Sequence, residues 1–305
     1  MIDTLVLAGG GLKGFCIIES INLLIINKII SLKQIKNYYA TSVGTIISLL
    51  LVIGYNMDEL HFFINNFNFN KLSDDVDVGD LFEYFGLSTG KSIMSVIQSL
   101  LYEKINQYDI TFEKLYQRFN KKINIITTNI TTRSEEVFSF ENTPSVSVLI
   151  AIRMSIAVPI IFTPVCYNGC QYLDGGLVNN FPINHVKSTN YLGITCNFKI
   201  KQKLEKFHQY IFNFINIAVK TITFKNITKE NLDRIIFLEN ENNDISELDF
   251  NIDNVNKLKK IGINSTLNYL KKNNNLIKKI KFNNFLIKNI EFIYESFFPF
   301  SILHI

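Results

Sequence analysis

Apolar and polar positions along the chain follow two rhythms, and the changes of rhythm mark the elements. An apolar run over residues 4–8 breaks at Gly9-Gly10-Gly11, and apolar residues then return at helical spacing over about 15–30. Residues 38–41 read as a second short strand, and 43–54 as a strongly apolar, buried helix. This β-loop-α-β-turn-α alternation predicts an α/β fold with a mainly parallel sheet covered by helices. Residues 58–122 are more polar and mostly helical in pattern, with an acidic patch at Asp74, Asp75, Asp77 and Asp80. They predict a helical, lid-like insertion. Further strands are expected at 123–130, "EEVFSF", "YLDGG", "YLGITCNF" and "RIIFL", with a helix near 145–154 and a proline-broken loop after it. "NVNKLKKIGINSTLNYLKK" has helical spacing again, and beyond Lys272 the chain becomes rich in Asn and Lys with interspersed aromatics. One large domain over 1–272 and a basic, aromatic C-terminal extension over 273–305 are expected.

Composition narrows the class. The 305 residues are 47% apolar and 19% charged, enough to bury a large core. The longest strongly apolar stretch, 43–53, falls well short of the roughly 20 residues a membrane span needs. No basic leader precedes the first strand, so an intracellular location is expected, cytoplasmic or peripheral to a membrane. Cys16, Cys166, Cys170 and Cys196 lack a paired spacing, and the four histidines are scattered, so neither a metal nor another cofactor is expected. Cys166 and Cys170 flank a turn at Asn168-Gly169. The net charge of +4 is uneven: from residue 251 onward nine lysines face Asp253, Glu291 and Glu295, a net of +6.

Two glycine-rich stretches resemble phosphate sites. Gly9, Gly11 and Gly14 satisfy G-x-G-x-x-G between a strand and a helix. A dinucleotide site also wants a carboxylate about 20 residues on, at the end of the second strand. No acidic residue lies between Glu19 and Asp58, which argues against that reading, although a base could meet a phosphorylated ribose. "GLSTGKS" ends like a P-loop, but only three residues separate Gly86 from Gly90 where four are needed. Ser88 or Thr89 as a helix cap is the simpler expectation.

"YYATSVGTIISLLLVIG" places Ser42 between a short strand and a long apolar helix, where a nucleophile elbow would stand. Gly44 supplies the small residue after it, and Ala40 replaces the usual first glycine. A helix-capping serine fits the same stretch. "YLDGGLVNNFPI" puts Asp174 at a strand end before Gly175 and Gly176, whose missing side chains let backbone pass close to another loop. An anion loop, an elbow serine and this aspartate together supply oxyanion donors, nucleophile and base for acyl transfer.

In this order "GGGLKG" (9–14), "ATSVG" (40–44), "RMSIAVPIIFTPV" (153–165) and "DGGLVNNFP" (174–182) resemble the patatin-like phospholipases. Ala40 and Met154 depart from the family pattern. The resemblance implies a three-layer fold and hydrolysis of fatty-acyl esters of phospholipids or neutral lipids through an acyl-serine intermediate. It implies a Ser42–Asp174 dyad and an oxyanion hole from the N–H groups of Gly10, Gly11 and Leu12, with Lys13 beside them. The bare sequence also permits a triad through His185. The implied partner is a lipid substrate rather than nucleic acid. The lysines and aromatics of the tail fit either contact with an anionic membrane surface or packing back onto the domain.

Overall fold

Along the first strand, Leu5 and Leu7 face one side and Val6 and Ala8 the other, and all four are fully shielded from solvent. The two pairs enter different apolar clusters, so the strand runs through the middle of a sheet covered on both faces. The computed structural model describes residues 2–69, 71, 75–77, 79–198, 207–240 and 251–273.

The chain begins β1 (Thr4–Leu7), α1 (Gly14–Ile26), β2 (Asn37–Thr41) and α2 (Val43–Val52), the alternation read from the pattern. The following segment is mainly helical as expected: α3 (Met57–Asn66), α4 (Asp80–Glu83), α5 (Lys91–Ile105) and α6 (Phe112–Phe119), with a three-residue strand β3 (Gly86–Ser88) before α5. Leu60, Leu101 and Phe112 of this segment join the same cluster as Leu5 and Leu7. Then come β4 (Lys122–Asn129), β5 (Ser134–Phe138) and α7 (Val148–Ser155). The proline-broken loop contains two short strands, β6 (Ile160–Phe162) and β7 (Val165–Tyr167). β8 (Cys170–Asp174) leads into α8 (Gly176–Asn179), followed by β9 (Tyr191–Cys196), α9 (Phe207–Lys225), β10 (Ile235–Leu238) and α10 (Ile252–Lys272).

The main sheet has the order β10-β9-β1-β2-β4-β8-β7, with β5 also on β4. Its β10-to-β4 half is parallel; β5, β7 and β8 are antiparallel. The β7–β8 hairpin turns at Asn168 (φ 47°) and Gly169 (φ 75°), two positive dihedrals of the kind a two-residue hairpin turn requires. α10 packs on α1 so closely that a side chain at Gly262 would strike the Cys16 carbonyl, and the Ser20 and Thr266 hydroxyls are 2.7 Å apart between the two helices. Residues 274–305, which carry most of the basic and aromatic extension, lie outside the described residues. No helix among the described residues is long and apolar enough to cross a membrane.

Candidate active site

Sheet register brings Ser42 and Asp174 together. β5 occupies one edge of β4 from Ile125 to Asn129. The other edge is therefore shared: β2 runs along it as far as the Thr41–Ile126 pair, and β8 arrives from the opposite direction to end at the Asp174–Thr127 pair. The two strands finish at consecutive positions on β4, with Ser42 one residue beyond one end and Asp174 at the other.

Ser42 has φ 52° and ψ −128°, a conformation costly for any residue with a side chain, and it joins β2 to α2. Local sequence holds the turn. The Thr45 N–H and hydroxyl both donate to the Ser42 carbonyl, at 2.8 and 2.6 Å. A side chain at Gly44 would come 2.6 Å from the Leu7 carbonyl oxygen, so only glycine lets α2 approach β1 this closely. A side chain at Gly14 would come 2.7 Å from Val43, and so the starts of α1 and α2 meet there. Ala40, in place of the usual glycine, is fully buried between Leu7 and Ile125 on the neighbouring strands, and the sheet accommodates its methyl group.

The Asp174 carboxyl is buried. Its Oδ1 accepts the Gly176 N–H at 2.7 Å, while Oδ2 has no partner of normal hydrogen-bond geometry among the described residues. Burial raises its pKa to about 6; the nearby Ser42 hydroxyl and the Gly176 N–H favour the charged form but do not cancel desolvation. Both glycines after it are needed for closeness. A side chain at Gly175 would strike the Ile126 carbonyl, and one at Gly176 would crowd Asp174 Oδ1 and Asn180 Oδ1, at 3.0 and 3.1 Å.

Above these residues the glycine loop leads into a 3-10 turn over Gly11–Lys13 that continues as α1. Among the described residues nothing accepts a hydrogen bond from the N–H groups of Gly10, Gly11 or Leu12. Gly11 needs its φ of 54° to turn the chain there. The Gly9 N–H is satisfied by the Asn180 carbonyl at 3.1 Å, and a side chain on Gly9 would meet both Asn180 Oδ1 and Ser42 Cβ, at 3.0 Å from the latter. The Lys13 ammonium lies 5.1 Å from the centre of the Phe198 ring.

Other sequence candidates fall elsewhere. His185 pairs through Nε2 with Glu135, which also receives the Asn179 amide at 3.3 Å. At the P-loop-like stretch, Gly90 with φ 74° stands at the cap position of α5. The anion at that helix start comes from within the chain: Asp75 Oδ2 accepts from the Ser88 hydroxyl (2.8 Å), the Thr89 hydroxyl (3.1 Å) and the Lys91 N–H (3.0 Å). Burial opposes the charge on Asp75, but these donors outweigh it and lower its pKa. Arg153 donates to the Thr89 and Thr163 carbonyls and braces β3 against the chain after β6. No group of three or more His, Cys, Asp or Glu converges as a metal site among the described residues.

Two residues escaped sequence reasoning. Ser155 Oγ accepts the Ser42 N–H at 2.9 Å, and the Asn180 side-chain amide donates to the Thr223 hydroxyl at 3.2 Å while the Asn180 backbone carbonyl accepts the Gly9 N–H. Both stand inside stretches singled out above, but their partners are far away in sequence and no spacing rule connects them.

The family model described as "Patatin-like phospholipase" matches residues 5–187. A probable lipid hydrolase, 463L, of Invertebrate iridescent virus 6 is 32% identical over 231 residues, covering 71% of this chain and 77% of that protein. The uncharacterized protein R571 of Acanthamoeba polyphaga mimivirus is 29% identical over 265 residues, covering 83% of this chain and 87% of its own. Among solved structures, VipD from Legionella pneumophila superposes with a TM-score of 0.59 at 15% identity, over 89% of this chain and 67% of that one, a likeness of fold alone. The matched stretch holds the glycine loop, the strained serine and the buried aspartate. The chain belongs to the patatin-like phospholipase family.

Proposed function

We propose that this protein is a lipid acyl hydrolase, cleaving fatty-acyl esters of phospholipids or neutral lipids, with Ser42 as nucleophile and Asp174 as base. The observation that carries the reading is the Asp174 carboxylate, buried, with the Gly176 N–H at Oδ1 and the hydroxyl of the strained Ser42 beside it. A serine hydroxyl is a weak nucleophile until a neighbouring group takes its proton, and desolvation gives this carboxylate the basicity to do so.

In the first half-reaction Ser42 Oγ attacks the acyl carbonyl carbon as its proton passes to Asp174. The carbonyl oxygen becomes an oxyanion, received by the N–H groups of Gly10, Gly11 and Leu12; one such donor is worth about 3 kcal/mol in the transition state. The intermediate collapses, the ester C–O bond breaks, and Asp174 returns the proton to the leaving alcohol. Water, deprotonated by the same carboxylate, then attacks the acyl-serine; its Oγ–C bond breaks, the fatty acid leaves, and Asp174 returns the proton to Ser42 Oγ. Residues 1–272 form the hydrolase domain in this reading, and 273–305 a basic, aromatic extension that either meets anionic lipid surfaces or packs back onto the domain.

A fluorophosphonate probe tests the assignment. Stoichiometric labelling of the wild-type chain, abolished in Ser42→Ala together with release of labelled fatty acid from defined phospholipids, supports it. A folded protein that neither labels nor releases fatty acid overturns it in favour of a lipid-binding or nucleotide-binding role.

A further inference from the structure

We infer that Ser155 is a positioning residue for the reaction, fixing the Ser42 backbone so that nucleophile and base keep their mutual placement; this rests on the reading of Ser42 and Asp174 given above. Ser155 is the last residue of α7 and is completely buried. Its hydroxyl has two committed partners: it accepts the Ser42 N–H at 2.9 Å and donates to the Ile126 carbonyl at 2.6 Å. The proton on that hydroxyl is spent on Ile126, so its lone pair faces the Ser42 N–H, and the direction of both bonds is set.

The neighbourhood turns this bond into a gauge. Two residues further on, the Ala157 carbonyl accepts the Asp174 N–H at 2.9 Å. The segment 155–157 therefore holds the backbone of both proposed catalytic residues, one through a side chain and the other through main chain. Ile126, which receives the Ser155 proton, is the residue paired with Thr41, and its carbonyl lies against Gly175 just after the base. Without the Ser155 oxygen, the Ser42 N–H becomes a buried donor with no acceptor, at a residue already held at φ 52°. The turn then relaxes, and displacement of about 1 Å at a nucleophile costs on the order of 100-fold in rate.

Ser155→Ala, Ser155→Cys and Ser155→Thr, made in the full chain, test this. Fluorophosphonate titration counts active sites, and kcat and KM are measured per labelled site on a soluble short-chain ester. The expected result is a fall in kcat of about 10- to 100-fold in Ser155→Ala with KM unchanged, and substantial recovery in Ser155→Thr, which keeps the hydroxyl. If Ser155→Ala does not fold, the weaker acceptor in Ser155→Cys is expected to show the same loss of kcat at smaller size. Full kcat per labelled site in either variant, with only thermal stability lowered, means that Ser155 is structural and overturns the inference. Failure of the wild-type chain itself to label at Ser42 instead overturns the underlying reading.

Discussion

Thr41 and Asp174 pair with consecutive residues, Ile126 and Thr127, on one edge of β4. The chain therefore carries Ser42 past the end of one strand to meet the carboxylate at the end of the other. A carboxylate brought there is desolvated, and its charge costs folding energy. Asp174→Asn is expected to lower kcat about 10²- to 10⁴-fold, because the amide keeps the Gly176 hydrogen bond but accepts no proton.

The same substitution has a stability consequence. An unfolded aspartate titrates near about 3.9, whereas burial raises Asp174 to about 6. Between these values the native state holds a proton that the unfolded chain has released, so native stability falls as pH rises through that window. Above it Asp174→Asn is expected to be more stable than wild type, by up to about 3 kcal/mol. The advantage should vanish below about pH 4, where neither state of the wild type carries the charge. Denaturant melts at pH 7.5 and pH 4 check this.

Activity should follow the ionised form of Asp174. On a soluble ester kcat/KM is expected to rise with pH, about tenfold per unit below pH 6, and to level off above it. His185→Ala is expected to leave that limb in place with only a small loss of rate, since His185 pairs with Glu135. A missing limb and a large loss in His185→Ala would assign the base to histidine instead.

Two glycines separate chemistry from packing. At Gly11 a side chain meets open space but must adopt φ 54°, so Gly11→Ala should cost about 1 kcal/mol of stability while misaiming the loop N–H groups and lowering kcat at least about tenfold. At Gly44 the added methyl meets the Leu7 carbonyl at 2.6 Å, so Gly44→Ala should destabilise by about 1–3 kcal/mol or more. Melting curves beside active-site titration distinguish the two.

Much of this arrangement is legible in the sequence, because the first half of the fold is built from local signals. The β1–loop–α1 and β2–Ser42–α2 units follow from apolar period and glycine placement, and Asp174 from a strand running into Gly-Gly. What the spacing misses is held by long-range contacts. Ser155 meets Ser42 across 113 positions, and Asp75 reaches forward 16 positions to Lys91 to fill a helix start that looked like a phosphate site. β6 and β7 are three residues each, too short for alternation to register, and prolines beside them hide their strand character. α9 has no counterpart among the expected elements, because its many Ile, Val, Thr and Phe residues favour a strand as much as a helix.

α10 packs on α1 through Gly262 and Thr266 and ends at Lys272. Cutting the chain after that residue is expected to leave hydrolysis of a soluble ester intact and to weaken co-sedimentation with anionic liposomes. Loss of both together with solubility would place residues 273–305 in the folded core.

The shared edge of β4 also bears on thermal motion. Thr41, just before Ser42, and Asp174 pair with neighbouring residues of β4, so a bending or twisting of the sheet that displaces β4 carries serine and carboxylate as passengers in the same direction. Relative drift of their backbones requires strand pairing, or the Ser155 bond that holds the Ser42 turn, to break, which happens far more rarely than collective breathing. Collective bending of the sheet can thus proceed while the serine and the carboxylate stay in step.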